Sequence, residues 1–230
     1  MSGYFSKLPV ELRSEVADNL DTKALACLAR VSTIFQPVAE RRLYRTVDIT
    51  SSKNAYCHAL MLLETNRKHP NIGEYIKTLK ISHLREESGK TQEPVRTVKQ
   101  EAHLSAGAIL EELLPCLSRL ELLEVAADVL LVCGMKTQRP LAERLPSQLK
   151  HLHVEEHSAP VKDEDLLRQL LADYIKTKPT ALELISVTSN AGYQRNYDMA
   201  LEEICTRSGV KIMFECRYQP EPARDAWGYD

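Results

Sequence analysis

The sequence predicts an α/β protein in which three short helices precede a row of parallel strands alternating with helices. Residues 8 to 45 carry apolar residues at helical spacing, interrupted twice by capping residues. After them one short pattern recurs at intervals of about 28 to 44 residues: apolar, two residues, apolar, one residue, Val or Ile. Helical spacing fills most of the intervals. Of the 230 residues 43% are hydrophobic and 27% charged, which supplies a core and excludes a disordered or fibrous chain. A formal net charge of -2 creates no global field toward nucleic acid or acidic lipid, so neither is expected as a partner. No apolar run approaches the roughly 18 residues of a membrane span. The first residues also lack the apolar stretch of a secretory signal.

Leu8-Pro9 opens the first helix, because proline is tolerated in a first turn whose N–H groups are unpaired anyway. Leu12, Val16 and Leu20 follow at spacings of four, as one stripe. Asp21-Thr22 supplies the cap of a second helix with the stripe Leu25, Leu28 and Val31. Ser32 or Thr33 caps a third, with Phe35, Val38, Ala39, Arg42 and Leu43. A bundle this short sits near the lower limit of independent stability, so it is expected to lean on a partner or on the following domain.

In this order Leu8-Pro-Val-Glu-Leu12, Val16, Leu20, Leu25, Leu28, Val31-Ser32, Phe35 and Leu43-Tyr44 resemble an F-box. The fungal variety is closest, since it often ends in a Leu-Tyr-Arg-Thr-Val run like Leu43 to Val47. The chain departs from the family at Phe35, where many members carry tryptophan, and at Val16-Ala17, where a larger aliphatic pair is usual. The resemblance covers about 40 residues. It implies docking onto the Skp-family adaptor, and through it a cullin, of an SCF-type ubiquitin ligase. Leu8, Pro9, Glu11, Leu12, Val16, Leu20, Leu25 and Leu28 would form that contact. It also implies a non-catalytic substrate receptor, with the transfer chemistry carried by other subunits.

The recurring pattern appears as Tyr44-x-x-Val47-x-Ile49, Ile76-x-x-Leu79-x-Ile81, Leu120-x-x-Leu123-x-Val125, Leu149-x-x-Leu152-x-Val154 and Leu182-x-x-Ile185-x-Val187. A sixth, imperfect copy starts at Val210, where Glu215 takes the last apolar slot; Val210, Ile212 and Phe214 alternate in the other phase. Helical segments run from Ala55 to Lys68, Ser105 to Cys116, Glu164 to Ile175 and Tyr197 to Thr206, and Asp128 to Leu145 holds a short helix. A strand and a helix per unit is the signature of a leucine-rich-repeat solenoid. The asparagine ladder of regular repeats is missing, because Ser, Ala, Glu and Thr follow Ile81, Val125, Val154 and Val187, so the array is irregular. A doubly wound sheet shares the alternation, but no Gly-rich turn follows any strand. The domains expected are 1–45 for the helical bundle and 46–216 for the repeats, with a polar insert at 82–103. A tail at 217–230 carries Pro220, Pro222 and Trp227.

Within each repeat strand the residues between the apolar positions face away from the core. They are Thr46 and Asp48, Thr78 and Lys80, Leu122 and Glu124, His151 and His153, and Leu184 and Ser186. From Thr78 onward this mixed row is the expected site for a protein target. His153, Glu156 and His157 match the H-x-x-E-H zinc-protease motif, but that motif needs a helix and this stretch alternates as a strand, so no metal is expected. No phosphate loop, dinucleotide fingerprint or nucleophile elbow is present, and no cofactor is expected. Cys27, Cys57, Cys116 and Cys205 fall in apolar helical patterns and read as buried thiols. Free thiols point to the cytoplasm or nucleus. The alternative to a ligase subunit is a repeat-built binding scaffold acting outside any ligase.

Overall fold

The computed structural model describes residues 8–50, 55–81, 106–135, 140–156, 164–177, 179–189 and 198–216. The polar insert, the tail and His157 lie outside them. The three helices are α1 (Val10–Asp18), α2 (Thr22–Val31) and α3 (Gln36–Leu43); α2 starts at the expected cap Asp21, whereas α3 starts after Phe35, beyond the expected caps Ser32 and Thr33. Pro9 precedes α1, and the Asp21 carboxylate accepts the Ala24 N–H at 2.7 Å. The Ser32 hydroxyl accepts the Phe35 N–H at 3.4 Å in the turn that leads into α3. The bundle closes on Ala17, Leu25 and Ala39, with Leu20, Ala29, Val38 and Leu43 packed around them. Arg13 ties α1 to the α2–α3 turn by donating to the Ile34 carbonyl at 3.2 Å.

Six strands follow: β1 (Thr46–Asp48), β2 (Thr78–Ile81), β3 (Leu122–Ala126), β4 (His151–Glu156), β5 (Leu184–Ser189) and β6 (Lys211–Cys216). Every neighbouring pair is parallel and the spatial order is the chain order. A doubly wound sheet would reverse its order at a switch point; this one does not. Between the strands run α4 (Ala55–Lys68), α5 (Asn71–Tyr75), α6 (Ala106–Leu113), α7 (Ala127–Met135), α8 (Glu164–Lys176) and α9 (Asp198–Ser208). The sequence did not announce α5, which occupies one turn after Pro70.

Register alignment puts Val47, Leu79, Leu123, Leu152, Ile185 and Ile212 in one row. The sixth strand therefore pairs in its alternate phase, with Phe214 opposite Val187 and Glu215 on the other face beside Thr188. Inward positions are closed off while their neighbours stay half-exposed, the alternation of a sheet covered on one face. That covered face, the helices and the turns share a single aliphatic core from Ile49 to Val210. Tyr44 and Val47 pack against this core, so the small bundle leans on the sheet.

One corner repeats before each strand. The Arg45 carbonyl accepts the N–H groups of Lys77 and Thr78 at 2.9 and 3.1 Å. Lys77 does the same for Glu121 and Leu122, Glu121 for Lys150 and His151, and Lys150 for Glu183 and Leu184. The Glu183 carbonyl accepts Lys211 at 2.9 Å. Each unit thus fixes the start of the next through its backbone, whatever the side chain at the corner.

The cysteines correct the sequence reading. Cys205 is buried, but Cys27, Cys57 and Cys116 are exposed. On α4 the buried positions are Ala55, Ala59, Leu60, Leu62, Leu63 and Asn66. Cys57, two residues from Ala59, is turned roughly 200° away from it at 100° per residue.

Candidate functional site

Two surfaces carry the residues that the sequence singles out. On the bundle, Arg13 and Ala17 form the inward stripe of α1, which turns the adjacent stripe outward. Val10, Leu12 and Val16 are 48, 46 and 44% exposed. Pro9 and Glu11 are exposed, while Leu8 and Leu28 are half-buried. The expected stripe Leu12–Val16–Leu20 therefore divides, since Leu20 packs against the bundle core. Leu25 is 4% exposed within that core and offers a partner no surface.

On the sheet, the outward residues of neighbouring strands lie opposite one another in two rows. The first runs Thr46, Thr78, Leu122, His151, Leu184 and Lys211. The second runs Asp48, Lys80, Glu124, His153, Ser186 and Met213. All eight expected target-facing residues sit in these rows.

The second row is a connected polar network. Asp48 accepts the Thr50 hydroxyl at 2.6 Å and its N–H at 2.9 Å, and these bonds hold the carboxyl below its ordinary value. Lys80 Nζ meets Glu124 Oε2 at 2.6 Å, and this hydrogen bond holds the ammonium above its ordinary value, against the effect of burial. The His153 Nδ1 and Ser186 hydroxyl share a 2.5 Å hydrogen bond, which aims Nε2 toward Glu155 Oε1 at 3.8 Å and Thr188 Oγ1 at 3.5 Å.

Glu155 was not foreseen. Strand parity puts it on the same face as His153, but it lies beyond the repeated pattern. Its side chain is 10% exposed, against 18% for Glu124 and 19% for His153.

Glu124, His153 and Glu155 bring one ligand atom each within 4.8 Å of one another, the sole group of this kind among the described residues. One imidazole and two carboxylates suit a divalent transition metal by ligand type. Lys80, bonded to Glu124, already supplies a positive charge there. Glu155 acts on the same ammonium through space. The zinc-protease reading fails on geometry, since β4 runs through His153 and Glu156 and directs them to opposite faces.

A charged ladder at the strand starts also escaped the sequence reading. The corner residues Arg45, Lys77, Glu121, Lys150 and Glu183 each stand one position after the first apolar residue of a copy. Glu121 bridges Lys77 at 2.6 Å and Lys150 at 3.6 Å, and its carboxyl is held below its ordinary value chiefly by the Lys77 hydrogen bond. His151 lies 3.8 Å from Glu183. The signal was legible as a charge at one fixed place in every copy.

Among the described residues no helix is long and apolar enough to cross a membrane. No protein-family model matches the chain, and no curated protein matches it.

Proposed function

We propose that the chain is an F-box substrate receptor of an SCF-type cullin–RING ubiquitin ligase, docking a Skp-family adaptor through α1–α3 and a protein target through the strand face. The observation that carries this reading is the apolar side of α1 that its own chain leaves uncovered. Leu12 and Val16, one turn apart on α1, stay nearly half exposed in a bundle already closed by Ala17, Leu25 and Ala39. Neighbouring aliphatic side chains left in water on one helix suit a protein contact. Burying the remaining surface of each is worth about 1 kcal/mol at 25 cal/mol per Å². The order of landmarks from Leu8 to Tyr44 supplies the identity of the partner.

The irregular leucine-rich-repeat half of the reading draws on the chain-order sheet, the helices in every interval and the recurring backbone corner. Such an array presents its strand face to other proteins. Here the Glu124 and Glu155 carboxylates beside His153 suit a target segment bearing Lys or Arg. The chain does no chemistry in this role; it raises the effective concentration of a target lysine near the ubiquitin carrier. Its place is the cytoplasm or nucleus, where that ligase works.

Coexpression with a Skp-family adaptor tests the reading. Leu12→Asp with Val16→Asp should abolish copurification, and Leu8→Ala with Pro9→Ala should weaken it about tenfold, or ~1.4 kcal/mol. Both variants should keep the native circular dichroism. Undiminished capture by the Leu12→Asp/Val16→Asp chain would remove α1 from the interface, and no capture by the wild-type chain would leave a scaffold working outside any ligase.

A further inference from the structure

The open face of the sheet gathers three metal-ligating side chains at one point. Glu124 of β3 and His153 of β4 are register partners, and Glu155 follows two residues later on the same side of β4. One imidazole nitrogen and two carboxylate oxygens, one atom from each residue, lie within 4.8 Å of one another. All three side chains are largely buried, unlike the freely moving acidic groups of an open surface. The strands that carry them are locked by the parallel ladder and by the backbone corners before it, the rigid support that a metal site needs.

The imidazole is oriented from behind by β5. Ser186, its register partner there, shares a 2.5 Å hydrogen bond with Nδ1. An Nδ1–H donated to that hydroxyl leaves Nε2 as a lone pair for a metal. Nε2 faces Glu155 Oε1 at 3.8 Å, a gap too wide for a hydrogen bond. It fits an ion bonded to both atoms, because two bonds of about 2.1 Å set at about 110 to 130° span about 3.4 to 3.8 Å. Thr188, the register partner of Glu155, brings its hydroxyl 3.5 Å from the same nitrogen. Lys80 holds Glu124 through Oε2 at 2.6 Å and fixes that carboxylate, as outer hydrogen bonds fix ligating carboxylates. Its charge opposes a cation and limits the affinity.

We propose that Glu124, His153 and Glu155 bind one divalent transition-metal ion of the zinc class. An imidazole beside carboxylates selects zinc and its neighbours over magnesium and calcium, which take oxygen ligands. Three protein ligands leave a coordination position open on the solvent side of the sheet. The site shares His153 with the H-x-x-E-H stretch, but Glu124 and Glu155 are not members of that motif. It does not depend on the ligase reading. The ion and a basic target segment draw on the same carboxylates, so they compete there.

Zinc titration calorimetry and thermal unfolding of the full chain, stripped of metal and with its accessible thiols blocked by iodoacetamide, test the proposal. Zinc should bind one to one, raise Tm and hold against about a hundredfold excess of magnesium. Glu124→Gln and Glu155→Gln, which keep size and shape, should each weaken zinc about tenfold or more, and His153→Ala should abolish one-to-one binding. Ser186→Ala, which frees the imidazole, should weaken it about tenfold. His58→Ala, an exposed imidazole removed from α4, should change nothing. Native circular dichroism in each variant separates lost ligation from lost fold. Absence of saturable zinc binding overturns the assignment. So does binding that survives His153→Ala, an equal loss in His58→Ala, or displacement by magnesium.

Discussion

Lys80 on β2 and Glu124 on β3 are register partners, and their side chains meet at 2.6 Å on the open face of the sheet. Opposite charges placed directly across a strand pair stabilise it by about 0.2 to 1 kcal/mol. Here Lys80 also faces Asp48 and Glu155, whose charges act on it from β1 and β4. It is the hub of the second row.

Lys80→Met should therefore lower stability by about 1 kcal/mol, because Glu124 and Glu155 lose the cation they share. Lys80→Met combined with Glu124→Gln should recover most of that loss. Urea unfolding of the wild type, both single variants and the double variant measures the coupling. Strictly additive effects would mean that the pair contributes nothing.

Gly73 on α5 is required by a close backbone approach. A Cβ there would lie 2.4 Å from the Cys116 carbonyl oxygen and 2.6 Å from Asn66 Oδ1. The Cys116 obstacle is main chain and cannot swing aside. Gly73→Ala is expected to cost about 2 kcal/mol or more, read as a lowered denaturation midpoint at unchanged m-value.

Stability should fall in alkali. Burial pushes the Tyr174 phenol up to about 12. Burial, with Glu202 adding, pushes the Cys205 thiol up to about 11. A raised pKa means the folded state holds its proton more tightly. The associated stability is complete below about pH 9 and drains away as pH climbs through 11 and 12. Each two-unit shift corresponds to at most roughly 3 kcal/mol. Tyr174→Phe should leave neutral-pH stability near wild type and flatten the decline above pH 10, followed by unfolding at stepped pH.

Thiol reactivity should divide the cysteines in the folded chain. Exposed Cys27, Cys57 and Cys116 should alkylate readily at mildly alkaline pH, whereas buried Cys205, its thiolate disfavoured, should react only after unfolding. Peptide mapping after a timed iodoacetamide pulse reads the difference, and rapid labelling of Cys205 in native protein would contradict its burial.

Most of the strand half of the fold was legible because a buried strand core demands β-spaced apolar residues. Val47, Leu79, Leu123, Leu152 and Ile185 mark it without ambiguity, and the helix at Ala55–Lys68 has the bounds its spacing predicts. The rows of the candidate face followed from parity alone. What escaped depends on neighbours distant in sequence. Cys57 falls in an apolar segment, but only the direction in which α4 packs decides that it faces water. Leu25 and Leu12 have equal apolar character, yet Arg13 and Ala17 orient α1 so that Leu12 stays outside while Leu25 is enclosed. Glu155 lies past the end of the repeated pattern and gains its meaning from His153 and Glu124 beside it.

The backbone corner that recurs from Arg45 to Glu183 has a metric consequence. Because every strand start is locked to the one before, the distance from Asp48 to Met213 is set by five inter-strand steps, about 24 Å at 4.8 Å each. Anything lying along that line is measured against a rigid scale, and an extended segment of about seven residues spans it at 3.3 Å per residue.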